Sequence, residues 1–599
     1  MLRRSRVAAL VCTVLPALVF APQAALAAEA KALVQGNLDK ALRAEIQRSV
    51  GTVKTHATTR VDARRRAREA GEAAIAVLRS EGYYDYIVEP DVGEGDTPQA
   101  VVRVTPGPRS TLAAPIIAWE GPPPDAETVA AAEKALALAP GSPARAASIV
   151  SAEGRAVATV SKRGYADAVA RRRQVVVDHA DHQVAATYHL AAGDLVHLDG
   201  VKLVTKGRTR LAWVQSLARW KHAAPYDPKQ VAELERRLRD TGVYDSITVA
   251  LAPASQAVDG LRPVIVSLGD RPPRTIELGG GYSTSEGVGA DASWIHYNVL
   301  RRADTLTLTA RLAQIQQKLD AELDLPDWRR LDRTLKLGGG VFGDRTPAYD
   351  DFGAGVRADL EHRSGLATDL TLGTAVDFLV TREKTAVNAN AFPVGQNLKL
   401  VIFSGLASFI FDRSNDWLDP TRGWRLVAQG EPTFIAGDRT LPYLKLQGQV
   451  SAYLPLQADA RTVVAARVKL GSIIGGSIPD VPANRRFYAG GGGSVRGFDY
   501  QGVGPKLIDG TPIGGLSLFE TSLEVRHKLA GPWGVAAFVD AGSLGQSVVP
   551  NFTQLRVGAG VGVRYDLGFG PIRLDLATPV NRQSGDPILQ VYVSIGQSF

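Results

Sequence analysis

Thr305-Leu306-Thr307-Leu308-Thr309-Ala310-Arg311-Leu312, followed shortly by Lys318-Leu319-Asp320-Ala321-Glu322-Leu323-Asp324-Leu325, alternates polar and apolar side chains without a break. Successive side chains of a strand point to opposite faces, so each segment has one apolar face and one whose hydroxyl, carboxylate and basic groups need water. Leu444, Leu446, Val450, Ala452 and Leu454 oppose Lys445, Gln447, Gln449 and Ser451 in the same way. Strands that are apolar outside and wet inside suit a transmembrane β-barrel, because in lipid every backbone N–H and C=O must be paired within a closed sheet. Segments of this kind begin near residues 274, 288, 304, 317, 334, 353, 367, 397, 423, 443, 461, 516, 534, 555, 570 and 588. They number sixteen, an even count that closes an antiparallel barrel over 271–599 with both its ends on one side. The pattern is weakest around 380–400, which leaves fourteen or eighteen open. A soluble sandwich or solenoid also alternates, but this half lacks the helix-rich layer or repeat period that would bury the apolar face.

Upstream, residues 28–270 mix helical and strand patterns, and one pattern recurs at roughly 80-residue intervals. It is a helix, then a glycine and an aromatic, then two strands. The copies are Val77-Leu78-Arg79-Ser80-Glu81-Gly82-Tyr83-Tyr84-Asp85, Ser161-Lys162-Arg163-Gly164-Tyr165-Ala166-Asp167 and Leu238-Arg239-Asp240-Thr241-Gly242-Val243-Tyr244-Asp245. The strands are expected at Tyr86–Pro90 and Ala100–Thr105, at Gln174–Asp178 and Gln183–Leu190, and at Ser246–Leu251 and Pro263–Leu268. Each glycine stands where a helix ends in a left-handed residue. In the third copy Asp227, Pro228 and Gln230 read as N-cap, first-turn proline and N3 residue, with Val231, Leu234 and Leu238 on one apolar stripe. The expected division is 28–111, 112–194 and 195–270, three small α+β modules.

At the start of the chain Arg3, Arg4 and Arg6 precede an apolar run from Val7 to Phe20, and Ala25-Leu26-Ala27 supplies a small-x-small cleavage pattern. Residues 1–27 therefore read as a signal peptide. Losing those three arginines takes the formal charge from +8 to +5, a mild excess over so long a chain that does not call for nucleic acid. The one cysteine, Cys12, lies inside this leader, so no disulfide or thiolate metal site is expected beyond it. Sixty glycines against 34 prolines argue against collagen, and no later run approaches the roughly 20 apolar residues of a membrane helix.

Catalytic signatures are sparse. Gly338-Gly339-Gly340-Val341-Phe342-Gly343 fits a dinucleotide fingerprint literally, but Asp344 to Tyr349, with Pro347, opens no helix for a pyrophosphate, and a barrel strand is expected. His179, Asp181 and His182 can be drawn as metal ligands or, more simply, as a polar hairpin tip. The informative stretch is the long connection before the strand near 516, since structureless loops of that length are generally functional. At its heart stands Gly490-Gly491-Gly492-Gly493-Ser494-Val495-Arg496-Gly497-Phe498. The following strands offer carboxylates of inward parity: Glu524, sharing a face with Glu520, Ser522 and Arg526, and Asp540 within Phe538-Val539-Asp540-Ala541-Gly542. A loop folded into the lumen would let Arg496 bind them through charge-assisted, bidentate hydrogen bonds.

These motifs resemble the BamA/TamA outer-membrane assembly superfamily. The likeness rests on Val495-Arg496-Gly497-Phe498 in a long extracellular loop, on Phe538-x-Asp540-x-Gly542, and on Gly570 to Ala577 of the penultimate strand. Asp412-Arg413-Ser414-Asn415-Asp416 with Pro420 and Gly423 adds a mid-barrel stretch of the same kind. The resemblance implies a sixteen-stranded barrel in the outer membrane of a Gram-negative cell, with Arg496 on Asp540 in its lumen and POTRA domains in the periplasm. Three modules and a length near this one imply a TamA-like member. That in turn implies assembly of autotransporters and other unfolded outer-membrane protein clients, a TamB-like inner-membrane-anchored partner, surrounding outer-membrane lipid, no cofactor, no metal and no enzymatic activity.

The rival within the superfamily is a two-partner-secretion export pore, which predicts two modules. A passive porin would need no modules, and a periplasmic enzyme would need convergent catalytic groups. The last feature is the closing seam. Val591, Val593, Ile595 and Phe599 share an outward face opposite Tyr592, Ser594, Gly596 and Ser598, and the terminal aromatic resembles the sorting signal of outer-membrane barrels. Their closing neighbour, Arg274 to Thr284, carries Gly279-Gly280-Gly281, which supply no side-chain packing and predict a weak seam.

Overall fold

The computed structural model describes residues 29–599 except 54, 95–96, 285, 365–367, 384–396, 569, 596 and 598–599. The leader expected at 1–27, and Gly596, Ser598 and Phe599 of the seam, lie outside the described residues. The chain divides into two compact units: Met1–Asp199 with Trp220–Lys229 and Ala254–Arg262, and Gly200–Arg219 with Gln230–Pro253 and Pro263–Phe599.

In the first unit, helices Lys40–Val50 and Arg60–Glu81 lie beside a sheet in the order Leu33–Gln35, Ala100–Thr105, Ile87–Val92. The helices start where side chains accept first-turn amides: Asp39 Oδ1 from the Leu42 N–H at 2.8 Å and Thr59 Oγ1 from the Asp62 N–H at 3.1 Å. The longer one ends at Gly82 with φ of 92°, a left-handed residue that returns its N–H to the last turn. Ala67, Ala70 and Ala74 form its buried stripe against the sheet, small enough for close helix–sheet approach. Helices Ala126–Leu136 and Ala146–Lys162 likewise accompany a sheet centred on Gln183–Ala191, paired antiparallel to Gln174–Asp178 and parallel to Ile116–Trp119. Gly164, after the second helix, has φ of 103°. His179 and His182 sit at the hairpin tip, and their Nδ1 atoms meet Asp85 at 2.5 and 2.9 Å. The tip is thus tied to the aspartate that closes the first Gly-aromatic turn.

A third sheet runs in the order His197–Leu203, Leu261–Asp270, Tyr244–Leu251. Both of its later strands begin two residues before the pattern suggested, because Tyr244 is itself buried and Leu261 closes a tight turn with Val258. Helix Pro228–Asp240 buries Val231, Leu234 and Leu238, and Asp227 accepts the Lys229 N–H at 2.9 Å. No helix among the described residues is long and apolar enough to cross a membrane.

The rest of the second unit is a closed antiparallel barrel of sixteen strands. Its strands are β1 (Arg274–Ser283), β2 (Gly287–Tyr297), β3 (Thr305–Ala313), β4 (Gln316–Leu325), β5 (Arg333–Arg345), β6 (Tyr349–Ser364), β7 (Thr368–Glu383) and β8 (Asn397–Asp412). They continue as β9 (Gly423–Gly437), β10 (Leu441–Pro455), β11 (Thr462–Ile474), β12 (Ser517–Lys528), β13 (Trp533–Gly545), β14 (Arg556–Asp566), β15 (Pro571–Pro579) and β16 (Gln590–Ile595). The glycine run 338–343 lies within β5, as a strand and not a nucleotide loop. Outward residues such as Leu319, Val450, Leu523 and Val561 are exposed, as lipid-facing side chains must be.

The lumen departs from the uniformly wet interior that alternation suggests. Inward Leu379, Leu400, Ile402, Ile435, Tyr443 and Ile473 are buried against Ile478, Val481, Phe487, Val495 and Phe498 of the long loop. Alternation tells which side chains share a face, but here both faces of some strands are apolar, because the loop supplies a second core inside the barrel.

Candidate functional site

The loop between β11 and β12, residues 475–516, folds back into the barrel. Val495 and Phe498 are fully buried and carry Arg496 between them, itself only 1% exposed. Gly497 makes this possible, since its φ of 99° belongs to the left-handed region and a Cβ there would press to 2.9 Å from the Thr578 backbone. A Cβ on Gly542 would meet Val495 at 2.7 Å, which explains the glycine two residues after Asp540.

The Arg496 guanidinium engages three strands. Its Nε and Nη2 donate to Asp540 Oδ2 and Oδ1 at 2.7 and 3.0 Å, a bidentate fork, and its backbone N–H adds a third bond to Oδ2 at 3.1 Å. Nη1 donates to Glu524 Oε2 at 2.8 Å and to Asp575 Oδ2 at 3.2 Å. The cation also lies 3.3 Å from the centroid of the Phe538 ring. Further groups hold these carboxylates: Ser522 Oγ donates to Asp540 at 2.6 Å, Arg526 Nε to Glu524 at 2.8 Å and Arg564 Nη1 to Asp575 at 2.5 Å. Glu524, Asp540 and Asp575 are at most 1% exposed, so each charge is stable only because it is paired and hydrogen-bonded.

The structure therefore brings together Val495, Arg496, Gly497, Phe498, Glu524, Phe538, Asp540 and Gly542. It adds Asp575, which stood in plain view within Gly570 to Ala577; inward parity with Arg573 was the signal that could have found it. A second anchor had no motif at all. Arg485 Nη2 donates to Asp377 on β7 at 2.9 Å, with Glu431 of β9 at 3.7 Å, while Asn484 donates to Asp351 of β6 at 3.0 Å. The loop is thus tied to two stretches of wall far apart in sequence. Among the described residues no group of three or more His, Cys, Asp or Glu is arranged to hold a metal ion.

The closing seam is the other candidate. β1 pairs with β2 along its whole length, from Arg274 with His296 to Ser283 with Gly287. Among the described residues it pairs with β16 only through Tyr282 with Val593 and Ser283 with Tyr592, extended by the Thr284 N–H to Val591 O at 3.0 Å. Gly279, Gly280 and Gly281 lie on β1 just before this short ladder, with their backbone exposed.

A family model for the Omp85 superfamily domain matches residues 298–599. The outer membrane protein assembly factor BamA of Neorickettsia risticii (strain Illinois) is 22% identical over 439 residues, covering 70% of this chain and 57% of that protein. BamA of Neisseria meningitidis serogroup B (strain ATCC BAA-335 / MC58) is 22% identical over 473 residues, covering 69% of this chain and 58% of that protein. The chain thus spans under three fifths of these relatives' length. Among solved structures, BamA from Haemophilus ducreyi lacking POTRA domains 1–3 has the same fold, with a TM-score of 0.68 at 20% identity over 81% of this chain and 99% of that one.

Proposed function

The chain belongs to the Omp85 superfamily, and on that premise we propose that it is an outer-membrane assembly factor. In this reading the barrel sits in the outer membrane among its lipids, and the α+β modules in the periplasm receive unfolded outer-membrane protein clients. The clients are handed to the seam between β1 and β16. The role is mechanical: strand pairing and release, with no bond made or broken in the client.

The observation that carries this reading is the inequality of the ladders around the barrel. Every backbone group left unpaired in lipid costs several kcal/mol, so a β1 edge matched to β16 at two residue pairs among the described residues is a template that a client strand satisfies by adding alongside it. The loop filling the lumen argues against the export-pore alternative, which needs a path through the interior. In the modules, strand Gln174–Asp178 pairs, among the described residues, on one side only and exposes Val175 and Val176, an edge suited to capturing extended segments. The recurrence of helix, glycine and strand pair supports three POTRA-like modules at 28–111, 112–194 and 195–270. That number supports a TamA-like member serving autotransporters, with a TamB-like inner-membrane-anchored partner.

The test uses the direct pair Tyr282 and Val593, each replaced by cysteine in a chain whose own cysteine, Cys12, lies in the expected leader. The oxidised barrel should lose client assembly and regain it on reduction. Undiminished assembly by the crosslinked barrel would overturn the seam as the route.

A further inference from the structure

Four consecutive glycines, Gly490 to Gly493, precede the arginine motif, and the Arg496 cluster does not account for them. They lie against the seam. The Gly492 N–H donates to Glu286 Oε1 at 3.2 Å, and Glu286 belongs to the turn joining β1 to β2, where its own N–H donates to Ser283 Oγ at 2.9 Å. A few residues on, the same loop holds the other side. The Gly497 N–H donates to the Tyr592 hydroxyl at 3.1 Å, that hydroxyl donates to Phe498 O at 3.3 Å, and Gln590 Nε2 donates to Asp499 Oδ1 at 2.6 Å. Tyr592 and Gln590 are on β16, both nearly fully buried. Across the seam Thr284 meets Gln590 and accepts the Val591 N–H at 3.0 Å on its hydroxyl.

We propose that the lumenal loop is the latch of the seam, holding the β1–β2 turn through Glu286 and β16 through Tyr592 and Gln590. The inference rests on the reading of the seam as the client route and deepens it by naming what keeps the seam shut. Arg496 fixes the loop to β12, β13 and β15, so the loop is a stationary post to which both edge strands are tied. The ties are unequal. Among the described residues three hydrogen bonds secure β16, whereas one backbone amide secures the β1–β2 turn, so Glu286 is the catch that yields and β1 is the strand that swings.

The glycines follow from this arrangement. A Cβ on Gly492 would lie 2.9 Å from Cδ1 of the Tyr592 ring, so only glycine lets the loop close on β16 at that point. A Cβ on Gly493 would meet nothing within 4 Å. Neighbouring glycines therefore have opposite expectations under one substitution.

Spin labels on cysteines at Leu278 of β1 and Ile595 of β16, both outward-facing, report the width of the seam in the full chain reconstituted in phospholipid vesicles. Glu286→Ala and Gly492→Ala should each raise the separated population by roughly two- to tenfold, the range spanned by one net hydrogen bond. Gly493→Ala should leave the distance distribution unchanged. If Gly492→Ala fails to fold, as judged by loss of heat-modifiable migration, Glu286→Ala tests the latch from its other side by removing the bond to the β1–β2 turn. An unmoved distribution in Glu286→Ala, or an equal shift in Gly493→Ala, overturns the latch. Because the readout is strand separation and not assembly, a crosslinked barrel that still assembles clients would remove the route while leaving this measurement to decide the latch.

Discussion

At the scale of single residues, Arg496 decides most. A guanidinium buried to 1% exposure among Glu524, Asp540 and Asp575 repays its desolvation only through a complete set of charge-assisted bonds. Arg496→Ala leaves those carboxylates without their central partner and should destabilise the barrel by about 3–5 kcal/mol, read as a lower temperature for loss of heat-modifiable migration. Arg496→Lys keeps the charge but not the planar fork, so it should fall between the two. An alanine variant as stable as the parent would mean the cluster is already solvated. The pairing of Arg496 with Asp540 and Glu524 was legible because motif and parity both pointed inward. Arg485 was not legible, since its partners Asp377 and Glu431 come from strands distant in sequence that only barrel closure brings near.

At the scale of elements, edges and docking faces matter more than interiors. Among the described residues strand Gln174–Asp178 has one unpaired edge, with Val175 and Val176 exposed, and lysine on such an edge discourages added strands. On the proposed function, Val176→Lys should weaken capture of an unfolded client by this chain, measured by crosslinking yield, while leaving the fold intact; unchanged yield would rule this edge out as a capture site. Helix Pro228–Asp240 docks differently. Arg219, Arg236 and Arg237 reach Asp332 of the β4–β5 turn at 3.0, 3.6 and 3.8 Å, and Glu233 holds Arg236 and Arg237 at 2.7 Å each. The Arg236 hydrogen bond keeps the Glu233 carboxyl below its ordinary value of 4.5. A depressed folded-state value means the stabilisation is present above pH 4.5 and is lost as pH falls through the folded-state value. The difference in thermal stability between wild type and Glu233→Gln should therefore exist at neutral pH and vanish in acid; a difference that persists once the carboxyl is protonated would assign it to packing. The helix itself was readable from its cap and apolar stripe, but its docking to a barrel turn was not, because local pattern carries no information about which turn lies beneath.

At the scale of the whole molecule, the barrel and its loop behave as one object. The loop is anchored through Arg496 to β12, β13 and β15 and through Arg485 and Asn484 to β6, β7 and β9, with an apolar core between them. A lumen crossed in this way conducts poorly. In planar bilayers the protein should show small conductance, Arg485→Ala or Arg496→Ala alone should raise it modestly, and the double variant should raise it well beyond their sum, because either anchor alone still retains the loop. A large steady conductance in the unmodified protein would place the loop outside the lumen.

The amino-acid sequence by itself determined the barrel and the inward and outward faces of its strands, because period-two alternation in lipid has few other solutions once every backbone group must be paired; sixteen was its count, with fourteen or eighteen open until the sheet closed. It also determined the repeated helix ends, since glycine at Gly82, Gly164 and Gly242 answers a purely local demand for positive φ. Tertiary structure alone decided that inward leucines and isoleucines of β7 to β11 meet the loop as a dry core, and that Arg485 and Glu286 act with it. Those partners are set by closure of the sheet, which brings residues 108 and 206 positions apart within hydrogen-bonding distance, and no spacing along the chain encodes that proximity.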